Sequence, residues 1–313
     1  MNFENQEQFI GIEIGGTKLQ LVTGDTTANI TGRVRYTIAA EQGATRIRQQ
    51  IEEGVEKLTS QHKIRAIGVG FGGPVEWKTG TIQLSHQVEG WQNFNIKEWL
   101  QQLTGLPAAV DNDANTAALA EAMHGCGRGY TNLLYLTIGS GIGGGLVTGG
   151  KIYHGRAPGE VEIGHVRLDK SGVTLEDKCS GWAVNQRIQQ HIETFPFSRL
   201  AILSKTITGP GAYLLKPALE ENDPDAIGMM NDIADDISFA LSHAVHLFNP
   251  DLIIIGGGLS LLGEHLRAPI SDRLSHYLMK ALLPAPPIKI AALGEDAVPV
   301  GALELARQLF AEQ

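Results

Sequence analysis

Two fifteen-residue segments set the strongest limit on how this chain can fold. Ile10 to Gly24 reads IGIEIGGTKLQLVTG, and Tyr135 to Gly149 reads YLTIGSGIGGGLVTG. Each is an apolar run, a glycine-rich turn and a second apolar run that ends in Val-Thr-Gly. Apolar runs this short, bounded by glycines, fit the two arms of a strand hairpin. Long-range self-similarity points to a duplicated unit, with chance likeness of two glycine hairpins as the alternative. Under duplication, two related lobes would each turn a glycine hairpin toward a shared cleft.

The other elements follow from periodicity. A third strand is predicted at Thr31 to Ile38. Ala44 to Ser60 carries Ile47, Ile51, Val55 and Leu58 at helical spacing. Ile64 to Val69 reads as a buried strand that ends in Gly70-Phe71-Gly72-Gly73-Pro74. Helices are predicted at Ile96 to Thr104, Ala114 to His124 and Trp182 to Thr194. A buried strand is expected at Leu133 to Ile138, and a loop-rich stretch from Val147 to Lys178. No element is assigned between Phe195 and Asn222. Asp223-Pro224 supplies a cap and a first-turn proline for a long helix to about Phe248, which Asn249-Pro250 ends. Asp251 to Ile255 is a strand, followed by Gly256-Gly257-Gly258 and a helix from about Ser260. Ile288 to Ala292 is a strand and Val300 to Phe310 a helix.

Composition excludes several classes. The chain has 313 residues, 42% of them hydrophobic, enough for two lobes. Its 34 acidic against 25 basic residues give a net charge of −9, so no basic footprint for nucleic acid exists. The acidity reads as ordinary solubility. Cys126 and Cys179 stand far apart and imply no disulfide framework. The opening MNFENQEQ is polar, and no run approaches the roughly 20 apolar residues of a membrane helix. A reduced cytoplasmic setting is the expectation, with no membrane partner.

Chemistry concentrates in a few places. Gly139-Ser140-Gly141-Ile142-Gly143-Gly144-Gly145 can converge backbone N–H groups on phosphate oxygens, because no Cβ intervenes. A strand follows it where a dinucleotide-binding turn needs a helix, and no Walker lysine follows at the required spacing. An ordinary glycine hairpin is the bland alternative. Asp113 sits at a predicted helix start, where a carboxylate is a common cap. Beside a phosphate cradle it becomes a candidate general base. Asp111 reads as a solvated strand-end carboxylate. Glu162 and His165, three apart in a loop, could meet ligand hydroxyls. With Cys179 the only cysteine nearby, they lack the ligands of a closed zinc site. His154 and His165, without evident partners, read as surface or ligand-contact histidines.

At this point the residues resemble the ROK family of sugar kinases. The matching pieces are IEIGGTK at Ile12 to Lys18, DNDANTAAL at Asp111 to Leu119 and TIGSGIGGGLV at Thr137 to Val147. They continue with EIGH at Glu162 to His165, LEDKCSG at Leu175 to Gly181 and IIIGGG at Ile253 to Gly258. The resemblance implies an α/β chain with the two-lobed actin-like or hexokinase-like ATPase (ribonuclease H-like) fold. The active site would lie in the inter-lobe cleft. The small lobe would comprise 1–110 plus about 294–313, and the large lobe 111–293. It implies ATP-dependent phosphorylation of a sugar hydroxyl, with Asp113 taking the proton. Gly15, Gly16, Thr17 and Lys18 would approach the ATP phosphates, as would Gly139, Ser140, Gly141 and Gly143. Gly256, Gly257 and Gly258 would lie near the adenosine. Gly73, Asn112, Glu162, His165 and Glu176 would border or contact the sugar. Mg²⁺ would arrive with ATP, Glu13 being the side chain placed to touch it or its waters. A homodimer is also implied, although no interface signature is visible.

Three departures from the family pattern stand out. Glu13 replaces the usual aspartate. DKSGVT at Asp169 to Thr174 replaces a cysteine-rich zinc segment, so no structural zinc is expected. RAPGEV before EIGH replaces a glycine-richer loop, which would reshape the sugar pocket. Family repressors carry an N-terminal helix-turn-helix, for which Met1 to Gln8 leaves no room. A non-catalytic sugar-binding regulator is the alternative function. A kinase acting on a carboxylic acid comes last, because Glu162 and Glu176 would repel an anion.

Overall fold

The computed structural model describes residues 7–60, 62–85, 87–157 and 161–312. The reading of the first six residues, and of Pro158, Gly159 and Glu160 in the RAPGEV loop, lies outside the described residues. The chain forms two compact units. One comprises Met1–Thr131, Gly145–Glu160 and Ala292–Gln313; the other comprises Asn132–Gly144 and Val161–Ala291.

The first unit opens with the expected hairpin, β1 (Gln8–Ile14) and β2 (Lys18–Gly24), antiparallel with Ile14 opposite Leu19. After β3 (Ile30–Thr37) come α1 (Gly43–Thr59) and β4 (Ile64–Phe71). A small sheet follows, β5 (Val75–Glu76), β6 (Thr81–Ile82) and β7 (Phe94–Asn95). Then come α2 (Ile96–Thr104), β8 (Ala108–Asn112) and α3 (Asp113–Met123). The main sheet has the order β3-β2-β1-β4-β8, with β4 parallel to both β1 and β8.

Alternation along β1 explains how the two faces differ. Ile10, Ile12 and Ile14 join one core with Ile47, Ile51, Val55 and Leu58 of α1. Phe9 joins another with Val300, Leu303 and Ala306 of α10 (Ala297–Ala311). Gly11 lies beside Gly68 on that second face. A Cβ at Gly68 would stand 1.8 Å from the Ala302 carbonyl oxygen, and one at Gly11 would stand 2.7 Å from that of Pro299. Glycine here lets helix backbone lie directly on the sheet. The same helix meets α3 closely, since a Cβ at Gly301 would be 1.8 Å from the Thr116 oxygen. This packing places α3 in the first unit, whereas the sequence-based division starts the large lobe at Asp111.

The second unit repeats the plan. β9 (Asn132–Ile138) turns into β10 (Ile142–Thr148), which passes into the first unit between Gly144 and Gly145 and there pairs with β11 (Lys151–Ile152). β12 (Leu252–Gly256) runs parallel to β9, and β13 (Ile288–Ile290) parallel to β12. The order β11-β10-β9-β12-β13 matches the first sheet position for position: third, second, first, fourth, fifth. Duplication, left open by the sequence echo, is thus carried by topology as well. Leu133, Leu134, Leu136 and Leu252 to Ile255 have no exposed surface.

The helices of this unit are α4 (Leu175–Cys179), α5 (Gly181–Thr194), α6 (Arg199–Leu203), α7 (Ala212–Glu220), α8 (Pro224–Phe248) and α9 (Glu264–Tyr277). Asp223 caps α8 as expected by accepting the Ala226 N–H at 2.9 Å, and left-handed Asn249 ends it. Ile233, Ile237, Leu241 and Val245 give α8 its buried stripe. A helix from Ser260 was expected. Instead a 3-10 turn at Gly258–Leu262 runs into Gly263, whose φ of 59° breaks the path before α9. α6 and α7 fill the stretch that the sequence left unassigned.

Candidate active site

In the first unit, the β1–β2 turn closes by a Gly15 N–H donated to the Lys18 carbonyl at 2.9 Å. Thr17 is exposed, and Gly15 and Gly16 are half-buried. The Gln87 side chain lies over Gly16, where an added Cβ would stand 1.1 Å from its Oε1. Sequence reading did not single out Gln87, and its loop carries no periodic signal. Glu13, on the strand before the turn, pairs with Lys18 Nζ at 3.3 Å and accepts from the Gln20 amide. The Gln20 carbonyl in turn accepts from Arg33 and Arg35, both at 3.1 Å.

Asn112 and Asp113 stand where β8 becomes α3. The cap is Asn112, whose Oδ1 accepts the Ala114 N–H at 2.8 Å and the Asn115 N–H at 3.4 Å. This corrects the expectation that Asp113 caps the helix. Its β-region backbone makes Asn112 the residue just outside the first turn. Asn112 Nδ2 donates to the Gly73 carbonyl at 3.1 Å, so two predicted sugar-site residues meet. Asp113 opens the helix. Its Oδ1 accepts the Ala114 N–H at 2.9 Å, while a Cβ at Gly72 would stand 3.4 Å from its Oδ2. Desolvation pushes its pKa up to about 6, the Glu13 charge adding to the rise and the Ala114 N–H opposing it. A carboxylate with a pKa near neutrality is poised to take a proton.

Asp111 is buried at 2% exposure, which corrects its reading as a solvated carboxylate. Its Oδ2 lies 2.6 Å from His154 Nε2, and its Oδ1 accepts from the Asn112 N–H at 2.8 Å and Asn115 Nδ2 at 3.0 Å. His154 is therefore a paired histidine, not a free surface one. The partners lie 43 residues apart, beyond the reach of local pattern.

In the second unit, the Gly139 N–H donates to Gly141 at 2.9 Å, and the Gly181 N–H donates to Gly139 at 2.7 Å. The Glu176 carboxylate accepts the Ile142 N–H at 2.6 Å, fastening α4 to the glycine turn. A Cβ at Gly141 would stand 2.6 Å from Glu176 Oε2. Gly143 follows within β10. Gly257 has a φ of 80°, and a Cβ there would stand 2.5 Å from the Ile138 carbonyl oxygen. The turn after β12 thus rests on the end of β9. Gly139, Ser140 and Gly258 together line a cavity of about 650 Å³, walled by Trp182, Tyr213, Leu259 and Leu261 and edged by Asn185 and Lys216. Sequence reading missed the cavity residues on α7 along with that helix. Glu162 and His165 are both exposed; Glu162 precedes a 3-10 turn at Ile163–His165, and the His165 N–H is donated to the Glu162 carbonyl at 3.0 Å.

Among the described residues, no group of three or more His, Cys, Asp and Glu side chains is arranged to hold a metal ion. Cys179 is fully buried, and burial, with Asp236 nearby, pushes its thiol up to about 12. Among the described residues, no helix is long and apolar enough to cross a membrane.

The chain is similar to known proteins along nearly its whole length. The family model described as ROK family matches residues 9–309. A glucokinase of Halalkalibacterium halodurans is 31% identical, over 96% of this chain and 95% of its own. The structure of a ROK family glucokinase from Streptomyces griseus, in complex with glucose and AMPPNP, is 30% identical. It superposes with a TM-score of 0.82 over 96% of this chain and 99% of that one. A ROK hexokinase from Thermus thermophilus is 28% identical, with a TM-score of 0.80 over 98% of this chain and 100% of that one. The two α/β units with matched sheets are those of the actin-like, hexokinase-like ATPase fold. The glycine turns, the Asn112-Asp113 helix start and similarity along nearly the whole sequence lead to one conclusion: the chain belongs to the ROK family.

Proposed function

We propose that this protein is an ATP-dependent carbohydrate kinase that transfers the γ-phosphate of ATP to a hydroxyl of a hexose or related sugar. The observation that carries the reading is Asp113. It opens α3 with a pKa of about 6, beside Gly72, Gly73 and Asn112. From there it would accept the hydroxyl proton as the oxygen attacks phosphorus. Gly73 and Asn112 would border the sugar, and Glu162, His165 and Glu176 would meet its hydroxyls. Glu176 has one oxygen on the Ile142 N–H, so it would couple sugar contact to the glycine turn.

The two turns, Gly15-Gly16-Thr17-Lys18 and Gly139-Ser140-Gly141 with Gly143, would offer backbone donors to phosphate oxygens. The cavity bearing Gly139, Ser140 and Gly258 is mostly apolar-walled and large enough for an adenosine. Gly256 and Gly257 would support its floor. Mg²⁺ bound with ATP would neutralise charge on the β- and γ-oxygens. Glu13, engaged by Lys18 and Gln20, is the acidic side chain we assign to its waters.

A coupled ADP-release assay over hexoses, hexosamines and polyols tests the proposal, with glucose first because the relatives are glucokinases. Sugar-dependent turnover that Asp113→Asn removes is the expected result. Sugar binding by calorimetry with no turnover across the panel would replace this reading with a non-catalytic regulator.

A further inference from the structure

Asp113 can act as a base only while the first turn of α3 holds it in place. That turn is gripped from behind by Asp111. Its Oδ1 accepts from the Asn112 backbone on one side of Asp113 and from the Asn115 side chain on the other. Its Oδ2 is left for His154 Nε2, at 2.6 Å. The imidazole is itself fixed. It stacks on Trp77 with ring centroids 4.0 Å apart and planes 15° from parallel, and the Lys78 ammonium lies 5.4 Å from the Trp77 ring.

These contacts close a circuit. Trp77 follows Gly73 by four residues, and the Gly73 carbonyl accepts from Asn112, the residue beside the base. The path runs Gly73, Trp77, His154, Asp111, Asn112 and back to Gly73. Side chains of this circuit are 3% exposed at Asp111 and 15% at His154. The proposed chemistry uses neither side chain. A buried carboxylate kept only to cap a strand would not require a stacked imidazole from a segment 43 residues away. In the sequence, His154 also stands at the stem of the segment that leads to Glu162 and His165.

We propose that His154, acting through Asp111, is a positioning residue for Asp113. The proposal rests on the reading of Asp113 as the base. His154 makes the N–H···O bond that fixes the Asp111 carboxylate, and the carboxylate fixes the residues flanking Asp113. An error of 1 Å in a reacting group can cost about 10²-fold in rate. Losing the donor should therefore lower kcat by roughly 10- to 100-fold. The ATP KM should stay within about twofold, because the bonds and the stacking of the circuit run among Gly73, Trp77, His154, Asp111, Asn112 and Asn115, none of them proposed to hold the nucleotide.

Three variants of the full chain test this. His154→Phe keeps a ring for Trp77 but removes the donor. His154→Gln keeps a donor without the ring. Asp113→Asn removes the base. The expected pattern is a large kcat loss in His154→Phe and recovery of most of it in His154→Gln, with both melting near the parent temperature. An unchanged kcat in His154→Phe, or equal losses in both His154 variants, would overturn the proposal. Should Asp113→Asn keep turnover, the base assignment itself fails, separately from the circuit. Amide exchange then decides the matter without activity. The Ala114 and Asn115 amides should exchange at least about tenfold faster in His154→Phe, an opening free energy lower by about 1.4 kcal/mol. Unchanged protection would overturn positioning by His154.

Discussion

Replacing Asp113 by Asn should remove activity while making the folded chain more stable, and the two effects have one cause. Folding raises this carboxyl from its ordinary value of 3.8 to about 6, chiefly by desolvation. A shift of about two units corresponds to about 3 kcal/mol. The sign follows from proton binding. The native state holds the Asp113 proton more tightly than the unfolded chain, so this group favours folding least at high pH. Its contribution falls as pH rises from about 4 to about 6, then levels off. Asparagine keeps an acceptor for the Ala114 N–H but carries no charge. Because Asp113 is only half-buried, the full figure is an upper bound, and a gain of about 1–3 kcal/mol at pH 8 is expected. The gain should shrink toward zero near pH 4. Urea unfolding of both proteins from pH 4 to 8 measures it. Coupled ADP release across the same range measures the other half. The parent kcat/KM should fall tenfold per pH unit below about 6; the variant should lose about 10²–10⁴-fold at pH 7–8, and its deficit should shrink in acid as the parent's base is protonated. Loss of less than tenfold at pH 7–8, or a stability difference that ignores pH, would refute the assignment of a desolvated, working carboxylate to Asp113.

Three further outcomes are expected. Glu304 has no exposed side-chain surface, and bonds from Arg307, His124 and Gln308 outweigh its desolvation to hold it near 2. Its stabilisation is complete above the unfolded value of 4.5 and is lost as pH falls through about 2. Glu304→Gln should therefore lose about 3 kcal/mol at pH 7 and progressively less in acid, as read by urea midpoints. Gly68→Ala would drive a Cβ into the Ala302 carbonyl of α10, and should lower stability by about 1–3 kcal/mol or more. An unchanged melting temperature would contradict the close approach. Cys179 should resist alkylation at pH 8 until the chain unfolds, since its thiol titrates at about 12. Rapid labelling of Cys179 by mass spectrometry would contradict that burial.

What could be read from the sequence was what is local. Ile47, Ile51, Val55 and Leu58 repeat at helical spacing, and all four are buried in α1. Asp223 and Pro224 mark the start of α8 because capping acts within one turn. The glycine hairpins announced themselves twice, and their sheets share one strand order. Asp111 was misread because its partners lie far along the chain. A strand-end carboxylate is usually solvated, and nothing near residue 154 signals a stacked, paired imidazole. Asn112 was not recognised as the cap because the adjoining Asp113 is an equally good capping type. α7 was missed because it is short and contains Pro217. The need for glycine at 11 and 68 follows from a helix far along the chain, at Pro299 and Ala302, which no window on β1 or β4 contains.

The seating of α10 also bears on how the molecule is made. The first unit needs Ala297–Ala311 to cover the glycine face of β1 and β4, yet the rest of that unit is largely complete by Thr131. On a ribosome the two pieces emerge 297 − 131 = 166 residues apart. At about 5–20 residues per second, the nascent sheet waits roughly 8–33 s with Phe9, Val22 and Ala66 uncovered. The second unit is interrupted only by a short excursion and ends at Ala291. It can close first. A chaperone that binds the nascent chain would therefore meet the amino-terminal sheet last to be satisfied, and truncations before Ala297 should strand it as an open, aggregation-prone face.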